Sequence, residues 1–249
     1  MNQQIFSQTF SDGRRNIDVG LREYMLKVYQ LMSLALILSG ICAFAVVSFE
    51  PLQMMLFKIT PSGRLLGLNP MGWVVSLAPL GIGLFFFMGL QNMSTQTAQL
   101  LFWVYAAVTG MSLSSFAFIY TAHSVVKTFF ITASVFGAMS IYGATTKRDL
   151  TSLGSFMAMG LVGVIIASLI NVFMHSSALE FAISFISIFI FMGLIAFDTQ
   201  KLKDCYYTFG SSGEVGYKVA LMGAFTLYLD FVNLFIYMMR FFGVARRDD

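Results

Sequence analysis

The sequence predicts an all-α membrane bundle, and three observations carry that prediction. Only 11% of the 249 residues are charged, against about a quarter in a soluble domain. Hydrophobic residues make up 57%, with 27 Phe, and the mean hydropathy is +0.78. Those apolar side chains fall into runs long enough to cross a bilayer core, which takes about 20 helical residues. So much apolar surface exceeds what one globular core can bury, and lipid is the natural solvent. A transmembrane β-barrel would show alternating segments of about ten residues instead.

Seven runs qualify: Tyr24–Val47, Met71–Leu90, Ala98–Tyr120, Val125–Ala144, Thr151–Met174, Leu179–Ala196 and Val219–Phe242. Pro79 lies inside the second and is expected to kink it. Two connections are longer than the rest. Ser48–Pro70 contains Pro51, Pro61 and Pro70, and Phe197–Lys218 contains the turn formers Gly210, Ser211, Ser212 and Gly213. The organisation is therefore a polar N-terminal tail (1–23), one seven-helix domain (24–243) and a charged C-terminal tail (244–249). The N-terminal tail has no apolar core followed by a cleavage site, so it reads as retained rather than as a signal peptide.

Orientation follows from Lys and Arg in the loops. With the N-terminus inside, Arg14, Arg15, Arg22, Lys27, Lys147, Arg148, Lys201, Lys203 and Lys218 fall on the inner side. Lys58, Arg64 and Lys127 then fall outside. Seven crossings also put Arg240, Arg246 and Arg247 outside, whereas a re-entrant last segment would bring them in. An unbroken run of 24 residues from Val219 to Phe242 favours the full crossing. The basic residues form no stripe, which excludes a nucleic-acid partner. Cys42 and Cys205 make neither a disulfide framework nor a metal motif. No cofactor is expected. Gly110 with Ser114, and Gly160 with Gly163 and Ala167, have the small-residue spacing that lets helices approach.

Acidic groups within the hydrocarbon are costly and mark function. Of 12 acidic residues, Asp230 lies mid-span in the last run, and Asp198 lies at the end of the sixth. Gly223, Thr226, Asp230, Asn233 and Tyr237 form one polar or small stripe, opposite Leu221, Phe225, Val232, Phe235 and Met239. That stripe is expected to face the bundle interior or a water-filled cavity. Ser184, Ser187 and Asp198 lie near one face of the sixth helix. Two carboxylates meeting inside a bundle do not both ionise readily, so a shared proton makes them a pH switch. The plainer alternative is that each caps a helix end or pairs with a nearby Lys. Calcium prefers six to eight oxygen ligands, so the pair with Thr226 or Asn233 suits a weak calcium site in a permeation path, not storage. His123 and His175 fall in outer loops and read as incidental.

AFDTQ (196–200) and LYLDFVNLF (227–235) resemble the paired signatures of the transmembrane Bax inhibitor motif family, the Bax inhibitor-1-like proteins. YGATTKRDL (142–150) resembles that family's loop between helices four and five, and RFFG (240–243) its C-terminal end. The likeness runs from about Leu21 to Gly243 and fits the bacterial branch, hence an inner membrane. It implies a central last helix wrapped by the other six. It also implies a pH-sensitive calcium leak gated by Asp198 and Asp230. An Arg near the inner end of helix two latches the helix-seven Asp in some bacterial members; here that stretch holds Gln91 and Asn92. Either these neutral groups replace the latch and line the path, or Lys147, Arg148 or Lys201 reaches in, or gating differs. Two rival readings remain: a non-conducting modulator of other membrane proteins, such as a quality-control protease, and an intramembrane aspartyl protease. The protease normally sets its second Asp in a Gly-x-Gly-Asp turn, whereas Leu227, Tyr228 and Leu229 precede Asp230. A retinal receptor is excluded, because the last span contains no Lys for a Schiff base.

Overall fold

A computed structural model describes residues 2–60, 65–90, 92–210 and 213–246, with side chains from residue 19 onward. Gln91 therefore lies outside the described residues. Seven helices are long and apolar enough to cross a membrane. They are α1 (Asn2–Ser48), α3 (Pro70–Gly89), α4 (Thr95–Leu113), α6 (Ala122–Thr145), α7 (Thr151–Met174), α8 (Ser177–Phe209) and α9 (Gly213–Phe242). The first crossing is the Val19–Ser48 part of α1, so the polar N-terminal segment continues the same helix rather than preceding it.

Local chemistry sets where these helices begin. Ser94 Oγ accepts from Thr97 N at 3.2 Å, Thr121 Oγ1 from Ser124 N at 3.3 Å and Ser176 Oγ from Leu179 N at 3.3 Å. Each hydroxyl satisfies an amide that the first helical turn leaves orphaned. Pro70 opens α3, where a missing N–H costs nothing. Pro79 is accommodated inside that same helix.

Both long connections expected from the sequence carry structure. Between α1 and α3 lie a short helix, α2 (Glu50–Leu56), and a hairpin of β1 (Phe57–Ile59) with β2 (Leu65–Leu68). Pro51 sits in the first turn of α2, so it starts a helix instead of marking a loop. Val46, Leu56 and Phe57 form a small apolar cluster beneath the hairpin. The second correction bears on the site. The sixth span does not end at Ala196: α8 continues to Phe209, and only residues 210–212 separate it from α9. Lys201, Lys203 and Asp204 ended the apolar run without breaking the helix, because charged residues are adequate helix formers. Asp198 is consequently well inside α8.

The third run is one span, Thr95–Ile119, with a short irregularity near its end. α4 stops at Leu113, the Ser114 and Ser115 hydroxyls return to Met111 O (2.6 Å) and Ser112 O (3.0 Å), and a one-turn helix α5 (Phe116–Ile119) follows. The C-terminal tail is partly fixed: Thr121 N donates to Val244 O, and Arg246 N to Ile119 O, each at 3.0 Å.

α9 packs against α1, α4, α6 and α8. Phe225 stacks on Phe86 of α3, with ring centroids 4.3 Å apart. Its apolar face, Leu221, Phe225, Val232, Phe235 and Met239, is buried, and so are Gly223 and Asp230 on the polar stripe. The polar stripe turns inward as expected, and the apolar face is buried with it. A helix enclosed on both sides buries both faces, and polarity then selects the neighbour.

Candidate functional site: two carboxyls at the base of a cavity

α8 and α9, separated by residues 210–212, pack along each other. Asp198 of α8 and Asp230 of α9 meet there, with their carboxyls within hydrogen-bonding reach. Asp230 is only 5% exposed, and its Oδ2 has no partner among the described residues. Asp198 is half-buried and lines a cavity of about 700 Å³. The cavity runs from the α8–α9 turn, at Phe209 and Val215, past Lys201, Cys205 and Lys218 to Thr226, with Phe87 and Leu90 of α3 as a side wall.

The remaining candidates are distributed unevenly. Thr226 lines the cavity with Asp198. Asn233 is half-buried and donates to Leu229 O at 2.9 Å, which turns its amide along its own helix. Tyr237 stacks on Phe191 at 5.8 Å, with the Arg240 guanidinium 5.7 Å from its ring. Asn92 is exposed and does not line the cavity. Ser184 and Ser187 are buried in α8, where Ser187 bonds to Ile183 O at 2.6 Å. His123 is in the first turn of α6 rather than in a loop, and His175 ends α7 in a left-handed conformation at φ 50°. Among the described residues, no basic side chain forms an ion pair with either aspartate. Lys201 is the nearest influence, its charge reaching Asp198 while its ammonium sits 5.9 Å from the Phe197 ring. No group of three or more His, Cys, Asp or Glu side chains gathers among the described residues.

The neighbours of Asp198 in sequence brace it, a role the sequence did not reveal. Thr199 Oγ1 meets Ser140 Oγ of α6 at 3.2 Å. Gln200 Oε1 accepts from Leu150 N, and its Nε2 donates to Arg148 O, both at 2.8 Å. Lys203 Nζ donates to Ala144 O at 2.5 Å, at the end of α6. Gly143 lets α6 lie directly on α8: a Cβ there would collide with the backbone of Ala196. AFDTQ and YGATTKRDL are thus two sides of one joint, with Asp198 facing inward from it. In that loop Asp149 Oδ1 accepts from Thr151 N at 2.8 Å. Hydrogen bonds from the Thr151 hydroxyl and amide hold this exposed carboxyl below its usual range.

A second joint lies on the other side of α9. Ser39 Oγ of α1 is 2.7 Å from both Ala106 O of α4 and the Tyr228 hydroxyl of α9. Gly110 permits it, since a Cβ there would meet the Ser39 backbone. LYLDFVNLF therefore contributes two contacts in opposite directions, Tyr228 toward α1 and α4, and Asp230 toward α8.

Seven apolar spans, with two neighbouring carboxyls between the last two, one buried and one half-buried, define a polytopic integral membrane protein with an intramembrane acidic site. A family profile described as "Inhibitor of apoptosis-promoting Bax1" matches residues 21–247. The chain belongs to that Bax inhibitor family. It is 56% identical over 240 residues to "Uncharacterized protein RP147" of Rickettsia prowazekii, covering 96% of this chain and 97% of that one. It is 39% identical over 228 residues to "Inner membrane protein YbhL" of Escherichia coli K12, covering 91% and 94%.

Proposed function

We propose that the protein is a pH-sensitive calcium leak of a bacterial inner membrane, with its N-terminus in the cytoplasm and the Asp198–Asp230 pair as gate and pH sensor. The single observation that carries the reading is the closeness of two carboxyls that act on each other, one buried and one lining a cavity. Two carboxyl groups in contact hold together through a shared proton. Once that proton leaves, two negative charges repel in a poorly solvated site and attract a cation. Asp198 and Asp230 supply at most four oxygens and Thr226 one more, short of the six to eight that hold calcium firmly. A weak site suits a permeant ion, which must leave as readily as it enters.

The uninterrupted course of α9 through Asp230 favours this reading over intramembrane proteolysis, which needs an accessible, loosened backbone beside its aspartates. The test is calcium flux into proteoliposomes of the purified chain across a pH series, for wild type, Asp198→Asn and Asp230→Asn. Wild-type flux should vary with pH, by up to about tenfold per unit where a single proton controls it. Both variants should lose that dependence. Absence of wild-type flux at every pH would favour a non-conducting modulator of other membrane proteins.

A further inference from the structure

A second polar cavity, of about 360 Å³, lies at the end of the bundle opposite the α8–α9 turn. It is lined by Ser168, Asn171 and His175 of α7 and its cap, Glu180 of α8 and Arg240 of α9. Its volume is about twelve times the ~30 Å³ that one water occupies in the liquid. Glu180 and Arg240 share this cavity, yet no ion pair joins them among the described residues. The charges of both reach the Tyr120 hydroxyl nearby. Arg240 is steadied from behind by the Tyr237 ring at 5.7 Å. Asn171 also lines the cavity, and its Oδ1 accepts from Ser176 N at 3.0 Å. An acid and a base that line one pocket without pairing complement a zwitterion.

The surroundings say which zwitterion. α7 ends at Met174, α8 begins at Ser177 and α9 ends at Phe242, so the pocket sits where three spans leave the hydrocarbon. Directly along those spans, Phe173 is 85% exposed and Phe181 is 61% exposed. Phe181 and Phe185 lie against Phe241, with centroids 5.1 Å and 5.8 Å from it. Acyl chains would lie on this aromatic surface while the headgroup enters the pocket.

We propose that this pocket binds the headgroup of a phosphatidylethanolamine lipid, its phosphate on Arg240 and its ammonium on Glu180. The guanidinium fork matches two phosphate oxygens. A primary ammonium gives Glu180 a charged hydrogen-bond donor, which a quaternary choline lacks. Phosphatidylglycerol offers no cation, so it leaves Glu180 unpaired beside a phosphate. The site is separate from the aspartate pair and does not depend on any transport activity.

The experiment is native mass spectrometry of the full chain in detergent, titrated with phosphatidylethanolamine, phosphatidylcholine and phosphatidylglycerol of identical acyl chains. One ethanolamine lipid should be retained about tenfold more tightly than either of the others, the worth of one charge-assisted hydrogen bond. Glu180→Gln should erase that preference while leaving general lipid binding. Arg240→Gln should weaken all three. Soluble phosphoethanolamine added in excess should not displace the lipid; displacement at similar concentrations would mean a headgroup metabolite, not a lipid, is the ligand, and would overturn the assignment. Equal retention of the three lipids by wild type, or a preference that survives Glu180→Gln, would overturn it as well.

Discussion

α7 and α9 look alike as sequences and behave as opposites in the bundle. Their most apolar windows have mean hydropathies of 2.3 and 1.8, both ample for crossing. Yet 6% of the α7 window is buried, against 67% of the α9 window. In water the more apolar helix would take the interior. In lipid, apolar surface gains nothing by leaving the hydrocarbon for other helices, so polar groups and close-fitting shapes decide. α9 carries Tyr228, Asp230 and Asn233, which need partners, and Phe225, which packs between Phe86, Phe102 and Tyr105. α7 carries Ile, Val, Leu and Phe side chains that lipid solvates as well as protein does, and Phe173 is 85% exposed.

The largest expected effect tests whether fit, not hydropathy, holds the interior. Gly143→Ala and Gly110→Ala each place a methyl against the backbone of a neighbouring helix, where nothing flexible can yield. Each should cost about 3 kcal/mol or more, the upper range for overpacking, read as a lower unfolding temperature in detergent. Normal stability for either would mean that the helices separate easily and the comparison with α7 fails.

A smaller loss is expected at the α6–α8 joint. Gln200→Ala removes two hydrogen bonds to the α6–α7 loop, worth about 1–2 kcal/mol together. Gln200→Glu keeps the acceptor for Leu150 N but sets a carboxylate oxygen against Arg148 O, so it should be less stable than wild type as well. If Gln200→Ala also alters the pH dependence of flux while Tyr228→Phe does not, the joint positions Asp198 rather than merely stabilising α8.

Tyr228→Phe should cost about 1 kcal/mol, since it breaks one contact and Ser39 retains its carbonyl partners at Ala35 and Ala106. Thermal unfolding against the Gln200 variants would rank the two joints.

The smallest effect belongs to α7. A Cβ on Gly163 meets nothing within 4 Å, so Gly163→Ala should be neutral or stabilising by roughly 0.5–1 kcal/mol through helix propensity alone. Marked destabilisation would show that α7 has a tight partner on that face.

The sequence by itself determined the number of spans, because crossing a bilayer is a matter of length and polarity along one dimension. It also singled out Asp230, since a carboxyl inside an apolar run is conspicuous wherever the helix goes, and Asp198 through its place at the end of a run and in the AFDTQ motif. It could not place the end of α8, for a charged helical turn and a polar loop have the same composition. Nor could it tell that Gly110 and Gly143 sit at helix contacts while Gly163, equally suited by spacing, faces open space. Only the tertiary structure decided which neighbour each polar group of α9 meets. Tyr228 and Asp230 are two residues apart and turn about 200° from each other on a helix, so one strip of sequence serves two joints. Which helix stands at each joint depends on chain paths that return from Ser39 and Asp198, and local periodicity carries no record of them.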